Sequence, residues 1–298
     1  MFRPHLRFGL ILLVSGLVLL TAIETITSNG QTNQSKRTRV VKPTADIRPT
    51  NPSASLAAAA AQNTLLRNDL KWFFGGKSQK GWSLYTNLIQ NLIETSEEPD
   101  SNGFAEALQV WQIEKGLAAT GILDEDTLMA MVFDWQGRRL KNKVPAQPEQ
   151  LTMAPVSDFY DVTRQPELRM IEHDTYAAYR RMVAAAIADK SLGLKSEGDG
   201  LAADEKFLKV ISSYRSREYQ EELRRRSPNA GSAGLAINSP HFTGRALDLY
   251  VGGAPVATND FNRAIQVQTK VYQWLVKNAE RFGFRPYYYE PWHWEYVR

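Results

Sequence analysis

The sequence predicts an α+β protein, with a small all-α three-helix unit in its first half and a mixed domain containing a sheet in its second. Three observations carry this. Leu84, Leu88 and Leu92 recur every four residues, and Phe104, Leu108 and Trp111 recur at i, i+4 and i+7, which is helical periodicity. The runs FLKVIS (207–212), RALDLYV (245–251) and RPYYYEPWHWEYV (285–297) are β-rich. Two histidines and two carboxylates with the chemistry of metal ligands lie on or beside those runs, at His241, Asp248, Glu290 and His293. A chain of 298 residues has room for roughly two domains of about 150 residues each.

Taken in order, Arg3 and Arg7 precede the uncharged apolar run FGLILLVSGLVLLTAI, residues 8–23. This is an export signal, read as an uncleaved membrane anchor with a cleaved signal peptide as its rival, since no clean A-x-A site follows. It places the rest of the chain on the exported side, periplasmic or at the cell wall. Residues 24–54 are rich in Thr, Asn, Gln, Ser and Pro and read as a disordered linker. A helix is expected from a Ser55 cap through LAAAAAQNTLLRNDLKWFF, leading into a helical unit over 55–140. Gly116 ends its second amphipathic helix, and Asp124 caps a third that buries Leu128, Met129 and Val132.

A basic connector, GRRLKNKVPAQPEQ, leads to a domain over 151–298. There, residues 168–189 predict one long helix with Tyr176, Tyr179, Val183 and Ile187 on a face and His173 as a surface or capping histidine. FLKVIS reads as a buried strand that delivers Tyr214, Arg215 and Ser216, with Ser216 capping the next helix. Residues 227–240 form a loop, and RALDLYV an alternating strand. A helix from Asn259 to Phe282 buries Phe261, Ile265, Val271, Trp274, Leu275 and Phe282 and stops at Gly283, before a last extended aromatic strand.

Two histidines and a carboxylate are the donor set of a catalytic zinc site with an open position, and the extra carboxylate then suits a general base. His241 and Asp248 are seven residues apart and would face opposite sides of a continuous strand, so the Thr243-Gly244 turn between them is required. Pro291 forces Glu290 into an extended conformation and permits a local bend. Other roles remain open at this point: Asp248 as an ion-pair partner of an arginine such as Arg245, the histidines as core residues, Arg215 as a structural cation.

The absence of cysteine excludes disulfides, thiolate metal sites and a cysteine nucleophile. The sequence holds no S-x-x-K, G-x-S-x-G or H-E-x-x-H pattern. A formal net charge of +4 is mild, and the basic runs are short and scattered, so no nucleic-acid partner is expected.

Two stretches carry resemblances. Trp111-Gln112, Gly116-Leu117, Gly121 and Asp126-Thr127 resemble the pattern of the small three-helix peptidoglycan-binding domain of cell-wall hydrolases, which implies wall binding by 55–140. SPHFTGRALD, YRSREYQ and EPWHWEY resemble, in order, the S-x-H-x-x-G-x-A-x-D, Y-R-S-x-x-x-Q and E-x-W-H motifs of the VanY-like D-alanyl-D-alanine carboxypeptidases. That group belongs to a larger family with lysostaphin-type peptidases and the hedgehog signalling domain. The resemblance implies an antiparallel-sheet zinc peptidase fold with one Zn2+ on His241, Asp248 and His293. It also implies Glu290 as catalytic base, Arg215 as the substrate-orienting arginine, and Tyr214, Gln220 and Ser239 as peptide contacts. The implied reaction is release of terminal D-alanine from peptidoglycan stem peptides. L,D-carboxypeptidase or cross-link endopeptidase activity, or a non-catalytic wall-binding module, stand as the alternatives.

Overall fold

The computed structural model describes residues 52–227 and 236–297. The export segment 8–23, nearly all of the expected linker and most of the 227–240 loop lie outside the described residues. Among the described residues no helix is long and apolar enough to cross a membrane.

The described residues open with α1 (Pro52–Asp69), which starts before the expected Ser55 cap, since a helix tolerates proline in its first turn. It does not run on through KWFF. Gly75 and Gly76, at φ +59° and +79°, make the tight turn that folds β1 (Lys71–Phe74) onto β2 (Lys77–Lys80) as a hairpin. Three helices follow: α2 (Thr86–Leu92), α3 (Asn102–Glu114) and α4 (Glu125–Arg138). Asp124 caps α4 by accepting from the Thr127 amide, a bond worth about 1 kcal/mol. The expected apolar positions Phe104, Leu108, Trp111, Leu128 and Val132 are buried, whereas Met131 replaces Met129 in the core.

Gln112 explains why its neighbours take the types they do. Its buried amide accepts from the Gly121 amide (2.9 Å) and donates to Ile122 O and Thr127 Oγ1 (both 3.0 Å). Leaving such a group unpaired would cost about 1–3 kcal/mol. Gly121, at φ +68°, brings its backbone against Ala105 O, where an added Cβ would lie at 2.8 Å.

In the second half, β3 (Leu151–Met153) pairs with β4 (Met170–Glu172). This ladder takes the first residues of the predicted 168–189 helix, and α5 (His173–Ala188) begins only after Glu172, whose carboxylate caps it through the Thr175 amide. Its buried face is Thr175, Ala178, Tyr179, Met182, Val183 and Ala186; Tyr176 and Ile187 are only partly buried. His173 is exposed, as expected. After the short hairpin β5 (Ser196–Glu197) and β6 (Gly200–Leu201) comes a four-stranded antiparallel sheet of order β7-β8-β10-β9. Its strands are β7 (Val210–Ser212), β8 (Ala246–Leu249), β9 (Phe284–Tyr287) and β10 (Glu290–Tyr296), and α6 (Arg217–Arg226), capped by Ser216, follows β7.

Several expectations are corrected here. FLKVIS narrows to three strand residues because Leu208 turns at φ +65°. β8 is buried throughout instead of alternating, since it is a central strand covered on both sides. The aromatic tail is a hairpin with its turn at Tyr288 and Tyr289, not one strand. The predicted 259–282 helix is two, α7 (Asp260–Val267) and α8 (Lys270–Asn278), ending in a 3-10 turn at Gly283. Thr269 breaks it, its extended backbone letting its hydroxyl cap α8 through the Tyr272 amide. Phe261 and Ile265 consequently lie exposed, and α7 buries Asn262, Arg263 and Gln266 instead.

The helical segment and the sheet belong to one compact unit, Pro49–Arg298. Trp135 stacks on Tyr288, Arg263 donates to Tyr85 Oη at 2.8 Å, and Asn87 donates to Val267 O at 2.8 Å. The connector is part of this packing, its Ala146 amide bonding to Phe242 O.

Candidate metal centre

The sheet register builds the site. Asp248, in the middle of β8, is the cross-strand partner of Ser212 on β7 and of His293 on β10. Directly opposed residues share a face, so the Asp248 carboxylate meets His293 Nδ1 at 2.9 Å. His241 arrives from the 3-10 turn Pro240–Thr243, which Ser239 caps and Gly244 closes at φ +66°. Its Nε2 lies 3.4 Å from the same Asp248 oxygen, Oδ1. The turn between His241 and Asp248 therefore does what strand parity demands.

Glu290 and His293 are three residues apart, which on a regular strand would place them on opposite faces. The register of β10 against β9 shifts between Glu290 and Trp294, and both residues line the same pocket. Glu290 is buried, and its Oε1 has no hydrogen-bond partner. Burial pushes its carboxyl up to about 7.

The ring nitrogens are fixed by what lies behind them. His241 Nδ1–H donates to Ser213 O at 2.7 Å, which leaves Nε2 facing Asp248. His293 Nε2–H donates to Glu295 Oε1 at 3.2 Å, which leaves Nδ1 for the same centre. Burial, with the nearby Arg215 charge, lowers His241 to about 4, so it is neutral at pH 7. Burial also disfavours charge on His293, but its bonds to Asp248 and Glu295 outweigh that and raise it to about 9. Burial likewise opposes ionisation of Asp248, yet the surrounding histidines and Arg215 hold its carboxyl well below the usual range.

This donor set fits a divalent metal. One ligand atom from each of His241, Asp248 and His293 lies within 4.8 Å of the others, all three residues are buried, and each histidine has its second nitrogen engaged as a metal-ligating histidine requires.

Arg215 is also in place, with each of its three nitrogens in a hydrogen bond. It donates through Nε to Ser212 Oγ (2.9 Å), through Nη1 to Gln220 Oε1 (3.4 Å) and through Nη2 to Asp248 Oδ2 (2.6 Å). Asp248 thus pairs with Arg215 and not with Arg245. Gln220 stands behind Arg215 and donates to Ala236 O. Ser239 lines the pocket, while Tyr214 is half-buried and outside its lining.

The pocket has a volume of about 480 Å³. Tyr287, of the aromatic tail, lines it too, and Arg139, Lys143 and Arg164 join its wall without having been singled out in the sequence. Glu295 was also missed, although as the i+2 neighbour of His293 on one strand it shares that residue's face. For Arg139, Lys143 and Arg164 the sequence holds no comparable signal.

A buried His-Asp-His group, an unpaired carboxylate and a cationic pocket wall define a candidate metal-dependent hydrolase. Residues 169–298 match the family model VanY, D-alanyl-D-alanine carboxypeptidase, a match that supports a peptidase domain over these residues. No curated protein matches the chain.

Proposed function

We propose that residues 151–298 act as a zinc peptidase that trims peptidoglycan stem peptides, releasing the terminal D-alanine. The observation that carries this reading is the buried His241-Asp248-His293 group beside Glu290, within the stretch that matches the carboxypeptidase family. One zinc ion would be held by His241 Nε2, Asp248 and His293 Nδ1, and when bound it supplies Lewis-acid polarisation and acidifies water.

The chain's own groups do the rest. Glu290, whose raised pKa suits proton transfer near neutrality, takes a proton from the attacking water and returns it to the leaving amine. Arg215 holds Asp248 in place, and with Arg164 and Lys143 it gives the pocket wall the positive charge that attracts a peptide carboxylate. Ser239 offers a contact to the peptide from the pocket lining, Gln220 supports Arg215 from behind, and Tyr214 would add a peptide contact beside Arg215. The helical segment 55–140 would hold the enzyme on peptidoglycan, its Gln112 network resting on the residues that carry the wall-binding pattern. The run 8–23 would keep it on the exported side of the membrane, as an anchor.

The test is zinc-loaded protein incubated with penta- and tetrapeptide stems and with cross-linked dimers, the products being weighed. Loss of one alanine from the pentapeptide is the expected result. Cleavage of the tetrapeptide or the dimer alone would reassign the bond, and no cleavage of any substrate would overturn the enzyme reading in favour of a wall-binding module. Glu290→Ala should abolish turnover while zinc binding persists.

A further inference from the structure

We infer that Arg139, at the end of α4 and outside the family-matched stretch, is a positioning residue for the metal centre, acting through Glu295 on His293. This rests on the zinc reading of the site.

Glu295 is fully buried, and both its oxygens are committed. Oε1 accepts from Arg139 Nε at 3.1 Å, from Arg139 Nη2 in an ion pair, and from His293 Nε2 at 3.2 Å. Oε2 accepts from the Leu140 amide at 2.9 Å. Arg139 is itself held on three sides: Nη1 donates to Gln136 Oε1 at 2.8 Å, the guanidinium lies 3.9 Å from the Tyr287 ring centre, and its backbone is extended just past the helix. The line of contacts therefore runs from helix end to carboxylate to imidazole to ligand atom.

A carboxylate that accepts from the far nitrogen of a ligating histidine fixes the ring's orientation and the nitrogen it presents. Such a carboxylate, buried, keeps its place only while its charge is matched. Here the match comes from a residue 156 positions away, supplied by the helical segment. The segment is therefore a structural part of the metal centre as well as a neighbour of it.

The experiment measures zinc affinity of the full chain by competition with a chromophoric chelator, for wild type, Arg139→Met, Glu295→Gln and the double variant, with the visible spectrum of the cobalt-loaded forms alongside. Arg139→Met keeps most of the side chain's bulk and Glu295→Gln is nearly isosteric, so a fold survives in at least one, which circular dichroism checks. Each single change should weaken zinc binding about 10- to 100-fold, the range for outer carboxylate partners of ligating histidines. The double variant should be no worse than the worse single, because both act along one line, and the cobalt spectra should shift in all three. Folded single variants with wild-type affinity and an unchanged cobalt spectrum, or a double whose loss is the product of the two singles, would overturn the inference. A wild-type chain that takes up no zinc would overturn the zinc reading itself, and this inference with it.

Discussion

The two histidines of the centre, with ring centres 5.0 Å apart, should titrate on opposite sides of neutrality in metal-free protein. His241 has burial and the Arg215 charge against its protonated form, and they outweigh the one carboxylate in its favour, Asp248 at 3.4 Å, hence a value about 4. His293 overcomes the same burial because each nitrogen faces a carboxylate, Asp248 at 2.9 Å and Glu295 at 3.2 Å, hence about 9. Movement from 6.5 to about 9 is worth roughly 3 kcal/mol in favour of the imidazolium. A group whose pKa rises on folding stabilises fully below its unfolded pKa, and that stabilisation is lost as pH climbs through the folded value. Metal-free protein should thus lose up to roughly 3 kcal/mol between pH 6.5 and 9. Zinc at Nδ1 must displace the proton there, so at pH 7, two pH units below the His293 value, apparent affinity should be about 100-fold weaker than above pH 9. Histidine-labelled protein in chelator, followed by long-range proton–nitrogen NMR from pH 4 to 10, reads both midpoints, and urea unfolding across the same range reads the linkage. Glu295→Gln should bring the His293 midpoint down. A His293 midpoint below 7, or stability that does not fall from pH 6.5 to 9, would refute the reasoning.

Two further outcomes follow from the same geometry. Arg215→Lys removes a fork that serves Ser212, Gln220 and Asp248 at once; loss of the charged bonds should cost about 1.5–3 kcal/mol in thermal unfolding and raise KM for a stem peptide more than it lowers kcat. Gly244→Ala puts a side chain at φ +66° with its Cβ 2.9 Å from the Glu172 backbone nitrogen, so at least about 1–2 kcal/mol of stability should be lost together with zinc affinity, as His241 is carried on that turn.

What the sequence made legible was local chemistry. The ligand types, the turn at Thr243-Gly244 and the bend at Pro291 could be read because each is a constraint between near neighbours. The caps at Asp124 and Ser216 were readable for the same reason. The errors lie where tertiary pairing decides. Residues 170–172 had helical periodicity but a strand partner at 151–153. Phe261 and Ile265 matched a helical stripe, yet Asn262 and Gln266 are buried to bond the 252–257 loop. Gly75-Gly76 was a hairpin signal within reach of sequence reasoning that helix propensity upstream concealed. Gln220 sits behind Arg215 and accepts from its Nη1, while Tyr214 is its chain neighbour and lies outside the pocket lining.

The same distinction bears on where the active domain begins. The family match starts at residue 169. Arg139, Lys143 and Arg164 precede it and yet form part of the pocket wall, and the Leu140 amide holds the carboxylate behind His293. Trp135 stacks on Tyr288, in the turn that joins β9 to the strand bearing Glu290 and His293. β10 is held on both sides by β8 and β9, and its far face needs partners from outside the sheet to fix the His293 ring. In this chain those partners come from the end of α4 and the connector after it, so the helical segment and the hairpin that bears Glu290 and His293 constrain one another.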